Sequence, residues 1–321
     1  KGGAPGPGRP KGTENRVTRS IREAVEAAAK PGGCHPDGLA GRAEHAQHAF
    51  DLLGPMLGAE RAAQQEGAGY YQLFTRDGWR CSAAVAYLKP ARARPNLRIE
   101  TDAHATALVM QGRRATGVRY RQGGVEREAR AHREVLLAAG ALQSPQLLQL
   151  SGIGPASLLK QHGIPVVHDV PEVGANLQDH LQARVMYKVT RPITINDDLR
   201  SLARRVRMGW QWLARRSGPL AIGINYGGLF ARVMPESVTP DVQFHFAALS
   251  AEMAGAKTHP WPGCTFSVCQ LRPTSRGTVA IKSRDPLDAP AMQPNYLSTE
   301  TDRKIAVDAI RLTRRIVLES D

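Results

Sequence analysis

The sequence of 321 residues is poor in aromatic side chains, in cysteine and in long apolar runs, and each shortage argues against one class of protein. Aromatic residues make up 5% of the chain, too few for the stacking platforms that bind single-stranded nucleic acids. The four cysteines form no C-x-x-C pair and have no histidines at zinc-finger spacing, so neither a disulfide framework nor a Cys–His metal centre is indicated. No run approaches the ~18 apolar residues of a membrane-spanning helix.

Acidic residues are also in short supply, with 29 against 43 basic ones and a formal net charge of +14. Such basicity is typical of proteins that bind nucleic acids or anionic membranes. The excess lies downstream of residue 66, where the arginines stand between apolar residues rather than among aromatic ones. We therefore expect no nucleic acid among the partners. The Gly- and Pro-rich first residues contain no apolar secretory signal, so we expect a cytoplasmic protein, or one peripheral on the inner face of a membrane.

Residues 1–65 lack the apolar periodicity of helices and strands. Their histidines, among them His35, His45 and His48, have no neighbouring set of carboxylates or cysteines, so we expect no metal site and a solvated, poorly ordered segment. The bias towards Ala, Gly, Arg, Pro and His is what translation of a GC-rich gene in a wrong frame would give. A divergent insertion is the alternative hypothesis.

The most informative segment is residues 140–154, GALQSPQLLQLSGIG. The apolar run at residues 135–139 before it predicts a buried strand that ends at Gly140. Ser144 and Pro145 predict a helix start, because serine accepts hydrogen bonds from free amides and proline fits a first turn. A strand end of small residues followed by a helix N-terminus lets a ligand approach backbone amides. An ordinary strand–turn–helix without a ligand fits this pattern as well.

Other patterns predict a mixture of helices and strands. In the first half we expect a strand at 67–74, a turn at 76–78, a helix at 80–88, a strand at 96–101, and a meander over 107–110, 115–120 and 124–131 that ends in the 135–139 strand. In the second half we expect strands at 184–189, 227–233, 242–249 and 265–271 in an antiparallel sheet, and a helix at 301–318.

Residues 199–216 predict an amphipathic helix, with apolar side chains at three-to-four spacing and six arginines but no acidic residue. The simpler interpretation is a helix that packs its apolar stripe on the sheet and exposes its arginines. The alternative is a helix that lies on an anionic membrane surface. The periodicity does not distinguish a core from a lipid surface.

The segment 140–154 resembles the second signature of the glucose–methanol–choline (GMC) family of flavin-dependent alcohol oxidoreductases. Residues 163–167 and 173–180 resemble the same family, and their sequences are most similar to its choline dehydrogenase branch. The resemblance covers about residues 66–321. It implies an α/β fold, α+β overall, with an incomplete Rossmann-like FAD-binding domain and an antiparallel-sheet substrate domain. The resemblance divides the chain into an atypical segment at 1–65, a partial FAD-binding domain at 66–183, a substrate domain at 184–271 and the start of a C-terminal region at 272–321.

The resemblance also implies FAD as the cofactor. In the family, a segment like 104–106 passes near the adenine of FAD, and the Asn-Leu-x-Asp-His motif that ends at His180 lies close to the cofactor. The residues expected to contact FAD are Ala105, Thr106, Ala139, Gly140, Ser144, Asn176, Asp179 and His180.

The reaction implied is oxidation of a primary alcohol, such as choline to betaine aldehyde, with hydride transfer to the flavin and a histidine that takes the hydroxyl proton. A different alcohol is one alternative, and a non-catalytic basic protein that binds a membrane or nucleic-acid surface is another. For a choline cation, Trp210, Trp212, Tyr226 and Phe246 are available as aromatic faces, although each also suits a core.

Two parts of the family pattern are not found in this sequence. The Gly-x-Gly-x-x-Gly loop that holds the FAD pyrophosphate is expected upstream of the matched region. The catalytic histidine is expected after Asp321, so we assign no catalytic residue. We therefore expect a fragment that folds poorly alone, binds FAD weakly or not at all, and is inactive in isolation.

Overall fold

The computed structural model describes residues 65–71, 73–253 and 255–318. Its strands are, in chain order, β1 (Gly67–Tyr70), β2 (Thr75–Arg76), β3 (Trp79–Arg80), β4 (Ala103–Gln111), β5 (Arg114–Gln122), β6 (Val125–Arg130), β7 (Ile153–Gly154), β8 (His168–Asp169), β9 (Gln182–Lys188), β10 (Gly227–Ala231), β11 (Val242–Ala247), β12 (Gly263–Gln270), β13 (Thr278–Ala280) and β14 (Ala291–Gln293). Its α-helices of six residues or more are α1 (Gly140–Leu150), α2 (Ala156–Gln161), α3 (Ile195–Arg200), α4 (Leu202–Arg215) and α5 (Glu300–Leu318). Short helical turns lie at Ala84–Leu88, Lys89–Ala91 and Pro219–Ala221.

The described residues form two compact units. The first unit contains the described residues up to Ala86 together with His180–Thr274 and the residues from Thr299 onward, and the second contains Tyr87–Asp179 and Ser275–Ser298. Each unit is thus built from separate stretches of the chain. The four-part division of the sequence stays a prediction.

The first unit is organised around a five-stranded antiparallel sheet with the strand order β1-β10-β11-β12-β9. Along β11, Val242, Phe244 and Phe246 are almost fully buried, and Gln243 and His245 between them are less so. This alternation is the pattern of a strand with one face on the core. The antiparallel sheet predicted from these strands is confirmed.

Helix α5 completes the core of the first unit. Its residues Ile305, Ile310 and Val317 recur on one face, are buried, and belong to the same apolar cluster as the phenylalanines of the sheet. Burial of a side chain of this size stabilises a fold by roughly 1.5–3 kcal/mol. The predicted helix at 301–318 is therefore confirmed, together with its apolar positions.

The second unit combines a three-stranded antiparallel sheet, in the order β4-β5-β6, with helix α1, which packs against β4. The short strands β7 and β8 pair in parallel, and β13 pairs with β14. A small apolar cluster, Leu159, Ile164 and Ile281, joins α2 to the segment after β13. The predicted meander is confirmed as β4–β6.

Two predicted strands are wrong. Residues 135–139 form no strand, and Leu136 is 81% exposed, because none of the described strands pairs with this run. Residues 96–101 are likewise outside any strand and mostly exposed. An apolar or alternating sequence becomes a strand only where neighbouring backbone groups accept its hydrogen bonds.

The predicted helix at 199–216 is present as α4, but the favoured interpretation of its packing is wrong. The apolar stripe faces water: Leu202 is 68% exposed and Trp210 is 70% exposed. Met208 is the buried residue of this helix. No helix in the described ranges is long and apolar enough to cross a membrane.

Candidate functional site

The N-terminus of α1 is the centre of the candidate site. The helix begins at Gly140 after Ala139, and residues 139–143 are exposed. Helix geometry leaves the first amide groups without an intrahelical acceptor, and Ala139 has no side-chain oxygen to cap them. Gly140 has a φ of +85°, which favours glycine, and apart from its chain neighbours and the backbone of its own helix none of the described residues places a heavy atom within 4 Å of where its Cβ would be. Open space and free amide donors therefore meet at this point.

The prediction that Ser144 starts this helix is wrong by four residues. Gly140 takes the first position, so Ser144 lies within the helix and Pro145 is in its interior. Pro145 cannot donate to the carbonyl of Ala141. Because Ala141 is exposed, water can solvate this carbonyl, which keeps the cost of the proline low. The predicted helix end at Ser151 and Gly152 is confirmed, with Gly152 at φ +82°.

Gln149 fixes α1 to the loop that carries the predicted residues Asn176 and Asp179. This side chain is 1% exposed; its Nε2 donates to the carbonyls of Val173 at 3.0 Å and Val279 at 3.1 Å. Its Oε1 accepts from the amide of Ile281 at 2.9 Å. One buried amide thus holds three chain segments together, and all of its strong polar groups are satisfied.

The loop at residues 173–179 is shaped by backbone contacts. Gly174 has φ +87°, and a Cβ there would lie 2.0 Å from the carbonyl oxygen of Val279. Leu177 and Gly277 exchange two backbone hydrogen bonds of 2.9 and 2.8 Å. Between these anchors Asn176 adopts a left-handed conformation with φ +59° and is exposed. Asparagine tolerates this conformation better than most residues.

Asp179 accepts a short hydrogen bond from the hydroxyl of Tyr296. Burial, together with the hydrogen bond to Asp179 and its negative charge, raises the pKa of Tyr296 to about 12. The tyrosine therefore stays protonated and remains a donor at neutral pH. The sequence alone assigns no role to Tyr296, because its partner lies 117 residues away.

Ala105 and Thr106 lie in β4, where the pairing with β5 shifts between Ala105 and Ala107. Thr106 is the additional residue of this β-bulge and is buried, whereas Ala105 is exposed. Bulges re-aim side chains and are frequent beside active sites. The same strand is tied to the C-terminal end of α1, because the Leu108 amide donates to Ser151 Oγ at 2.8 Å.

His180 differs from the other predicted residues, because it belongs to the first unit, where its Nε2 lies 3.0 Å from the carbonyl oxygen of Leu271. In the same unit His245 packs its ring 5.5 Å from that of Tyr71. Burial lowers the pKa of His245, and the charge of His180 lowers it further. The other seven predicted residues belong to the second unit.

Two of the aromatic residues considered for a cation pocket, Phe246 and Trp212, make other contacts. Phe246 is 1% exposed and is part of the core. Trp212 carries the guanidinium of Arg216 at 4.3 Å from its ring centroid, and its Nε1 donates to the carbonyl of Gly78 at 2.9 Å. Trp210 is exposed. Within the described ranges no group of three or more His, Cys, Asp and Glu side chains could hold a metal ion.

The second unit fits a group rich in anionic and carbonyl oxygens. Backbone amides at a helix N-terminus are donors aimed at such oxygens, and the positive end of the helix dipole favours negative charge. The open space beside Gly140 leaves room for that group. The pyrophosphate and ring carbonyls of a flavin cofactor have this chemistry.

Comparison with known proteins identifies the family. The chain matches the N-terminal model of GMC oxidoreductase over residues 57–182 and the C-terminal model over residues 273–320. It is 40% identical over 256 residues to the alcohol dehydrogenase [acceptor] of Pseudomonas putida, covering 79% of this chain and 46% of that protein. It is 42% identical over 259 residues to the oxygen-dependent choline dehydrogenase of Ectopseudomonas mendocina, covering 80% and 46%.

Solved structures give the same result for the fold. Formate oxidase of Aspergillus oryzae, studied for its FAD modification, matches with a TM-score of 0.75 at 24% identity, covering 86% of this chain and 52% of that one. Pyridoxine 4-oxidase from Mesorbium loti matches with a TM-score of 0.69 at 28% identity, covering 85% and 50%. The chain belongs to the GMC oxidoreductase family, whose members are FAD-binding enzymes with a Rossmann-like fold. It spans about half the length of the relatives that it matches.

Sequence reasoning found the segments around the candidate site better than it found the contacts that build them. It did not find Gln149 or Tyr296, although both connect segments that the family resemblance had singled out. A buried glutamine has one weak signal, since it stands among leucines at a position where the apolar pattern of α1 would place another apolar residue. Contact of the eight predicted residues with FAD stays a prediction.

Proposed function

We propose that the protein in which this chain lies is an FAD-dependent alcohol oxidoreductase that oxidises a primary alcohol, with choline as the first candidate substrate. The observation that carries the proposal is the exposed N-terminus of α1 beside Gly140, in the segment that matches the family. Bound FAD would supply the hydride acceptor. The names of the two relatives, an alcohol dehydrogenase and a choline dehydrogenase, support the substrate class.

In this proposal the amides at the start of α1, from Gly140 onward, would donate to oxygens of the cofactor. Ala139 and Ser144 flank this turn on the two sides. The second unit keeps the turn in place through Gln149, so that the donors do not have to reorganise when a ligand binds. Ala105 and Thr106, Asn176 and Asp179, and His180 are proposed as further contacts on the basis of the family resemblance.

The test begins with the gene, because the proposal needs a phosphate-binding loop and a catalytic histidine in the sequence that flanks these residues. The chain alone and the chain with its flanking sequence would be purified and compared for flavin absorption and for alcohol-dependent reduction of a dye acceptor. Choline, an aromatic alcohol and a long-chain alcohol are the substrates to compare. Flavin content with turnover of one of them supports the proposal. A longer protein that holds no flavin and reduces no dye contradicts it.

In the longer protein that includes the flanking sequence, a substitution at Ala139 separates cofactor binding from helix stability. Ala139→Asp places a carboxylate at the N-terminus of α1, which stabilises a helix by about 0.3–1 kcal/mol. The same carboxylate would repel an anionic cofactor, and we expect a loss of FAD affinity of at least about tenfold with an unchanged or higher Tm. Ala256→Asp, in an exposed loop of the first unit, adds the same charge and is the control. Equal FAD affinity in both variants would contradict the assignment of the N-terminus of α1 to the FAD-binding site.

We also propose peripheral contact with a membrane for this protein, through a surface of the first unit.

A further inference from the structure

Helix α4 exposes its apolar face to solvent, whereas a surface helix of a globular protein usually packs that face on the core. Leu202, Val206, Trp210 and Leu213 recur at intervals of four, four and three residues, so they form one stripe along the helix. All four are between 61% and 70% exposed. Met208, which lies on the opposite face, is buried. The helix therefore packs on its own unit through its less apolar side and presents the stripe outward.

This orientation is fixed by specific contacts at both ends of the helix. At the start, the guanidinium of Arg204 donates to the carbonyl of Pro192 at 2.7 Å. At the end, the indole of Trp212 donates to the carbonyl of Gly78 at 2.9 Å, and the rings of Trp79 and Trp212 meet edge to face with centroids 4.6 Å apart. Because these contacts hold the inner face, rotation of the stripe towards the core would break them. The outward stripe is thus a property of the folded unit.

The charges around the stripe have one sign. Arg205 and Arg207 lie on either side of it by helical position, and both are exposed. Between residues 199 and 216 there is no acidic residue. The carboxylate of Asp198, just before this stretch, lies 3.4 Å from Arg204, on the inner side of the helix. On α4 itself, the charged side chains beside the stripe are therefore all cationic.

Exposed apolar side chains continue after the helix. Leu220 is 53% exposed, Ile222 is 42% exposed and Ile224 is 58% exposed. The helical turn Pro219–Ala221 that carries the first of them packs on α4. An exposed apolar stripe flanked by cations along one helix is the pattern of an interfacial helix that lies in the plane of a membrane.

We propose that α4 and the segment to Ile224 form a docking surface for an anionic phospholipid bilayer, with the stripe inserted at the headgroup boundary and Arg205 and Arg207 at the phosphates. This inference specifies the membrane contact proposed above. It does not depend on alcohol oxidation, because neither FAD nor substrate takes part. Charge complementarity selects the bilayer over a second copy of the chain, whose equivalent surface would carry the same positive charge.

The experiment is sedimentation of the purified chain with vesicles of phosphatidylcholine alone or mixed with phosphatidylglycerol. We expect binding to the mixed vesicles only, with a steep decrease as salt is added. Arg205→Gln with Arg207→Gln should weaken binding roughly 30-fold, since one arginine near an anionic surface contributes about fivefold. Val206→Ser with Trp210→Ser should weaken it at least as much, because two inserted apolar side chains are lost. All four positions are outside the core, so we expect unchanged circular dichroism.

Matched controls remove the same chemistry elsewhere. Arg127→Gln with Arg133→Gln takes two exposed charges from the second unit, and Val238→Ser removes an apolar side chain that is 91% exposed in the first unit. If the control substitutions weaken vesicle binding as much as the α4 substitutions do, the proposal is overturned, because binding would then depend on net charge or on nonspecific hydrophobic adsorption. Equal binding to neutral and anionic vesicles would also overturn it. A parent chain that binds no vesicles but self-associates, with self-association lost in the Val206→Ser, Trp210→Ser variant, would assign the surface to a second copy of the chain instead.

Discussion

The buried amide of Gln149 offers the sharpest test of the second unit. The substitution Gln149→Leu keeps the size of the side chain and removes its polar atoms. Three backbone groups then lose their partner: the carbonyls of Val173 and Val279 and the amide of Ile281. The side chain is 1% exposed, so water does not replace these bonds without a rearrangement. The cost is therefore that of unpaired buried groups rather than that of exchanged hydrogen bonds.

The magnitude follows from the groups left behind. An unsatisfied buried donor or acceptor costs about 1–3 kcal/mol, so three of them cost roughly 3–6 kcal/mol if one carbonyl is partly relieved. The leucine recovers about 1–2 kcal/mol by burying apolar atoms. We expect a net loss of about 1–5 kcal/mol in the free energy of unfolding, against the ~5–15 kcal/mol that stabilises a typical domain.

The assay is urea unfolding followed by circular dichroism, with amide hydrogen exchange as a local readout. Gln143→Leu is the matched control, because it makes the same change at an exposed position of the same helix, and should shift stability by about 0.5 kcal/mol or less. In the Gln149 variant the amide of Ile281 should exchange much faster than in the parent chain. If the two variants are equally stable, or if the Ile281 amide stays protected, the assignment of Gln149 as the clamp between these segments is refuted.

Two further predictions concern backbone shape and pH. Gly174→Ala should destabilise the chain by more than about 2 kcal/mol, because its Cβ would lie 2.0 Å from the Val279 carbonyl oxygen. Gly112→Ala, also at positive φ but in open space, should cost only about 1 kcal/mol. Thermal unfolding of both variants checks this difference. Burial lowers the pKa of His245 in the folded state. The stabilisation of the folded state that comes from this shift is therefore fully present above the ordinary histidine pKa of about 6.5 and is lost as the pH falls through the lower pKa of the folded state. We expect Tm to decrease on acidification from about pH 7.5 to about pH 5, and to decrease less in His245→Gln. A Tm difference between the two that does not change with pH would contradict this account.

The sequence predicted best those elements whose pattern is local and whose partners follow soon in the chain. The meander β4–β6 has short connections, and the hairpin β2–β3 turns at Asp77 and Gly78, a pair that takes up positive φ at both positions. Helix α5 has a long apolar period that leaves little choice of face. In each case local preference and tertiary packing favour the same structure.

The failures share a different physical cause. The apolar run at 135–139 has the composition of a buried strand, but a strand also needs hydrogen-bond partners, and none of the described strands pairs with it. The helix start was placed at Ser144 because serine and proline favour such a position, yet α1 begins at Gly140, where small residues adopt the helix without a cap. The Gln149 contacts span 24 to 132 residues of sequence, which no local pattern encodes.

Helix α4 shows the limit of periodicity as evidence. Its repeat of apolar side chains correctly predicted a stripe on one face, since the spacing alone determines which side chains share a face. It did not determine what the stripe contacts, because protein cores and lipid acyl chains both exclude water and both favour the same residues. What distinguishes the two is the position of the charges: in a packed helix the cations lie opposite the core, whereas in α4 Arg205 and Arg207 border the exposed stripe itself. A basic border next to an exposed apolar stripe is therefore a better sequence signal for a membrane surface than amphipathicity alone.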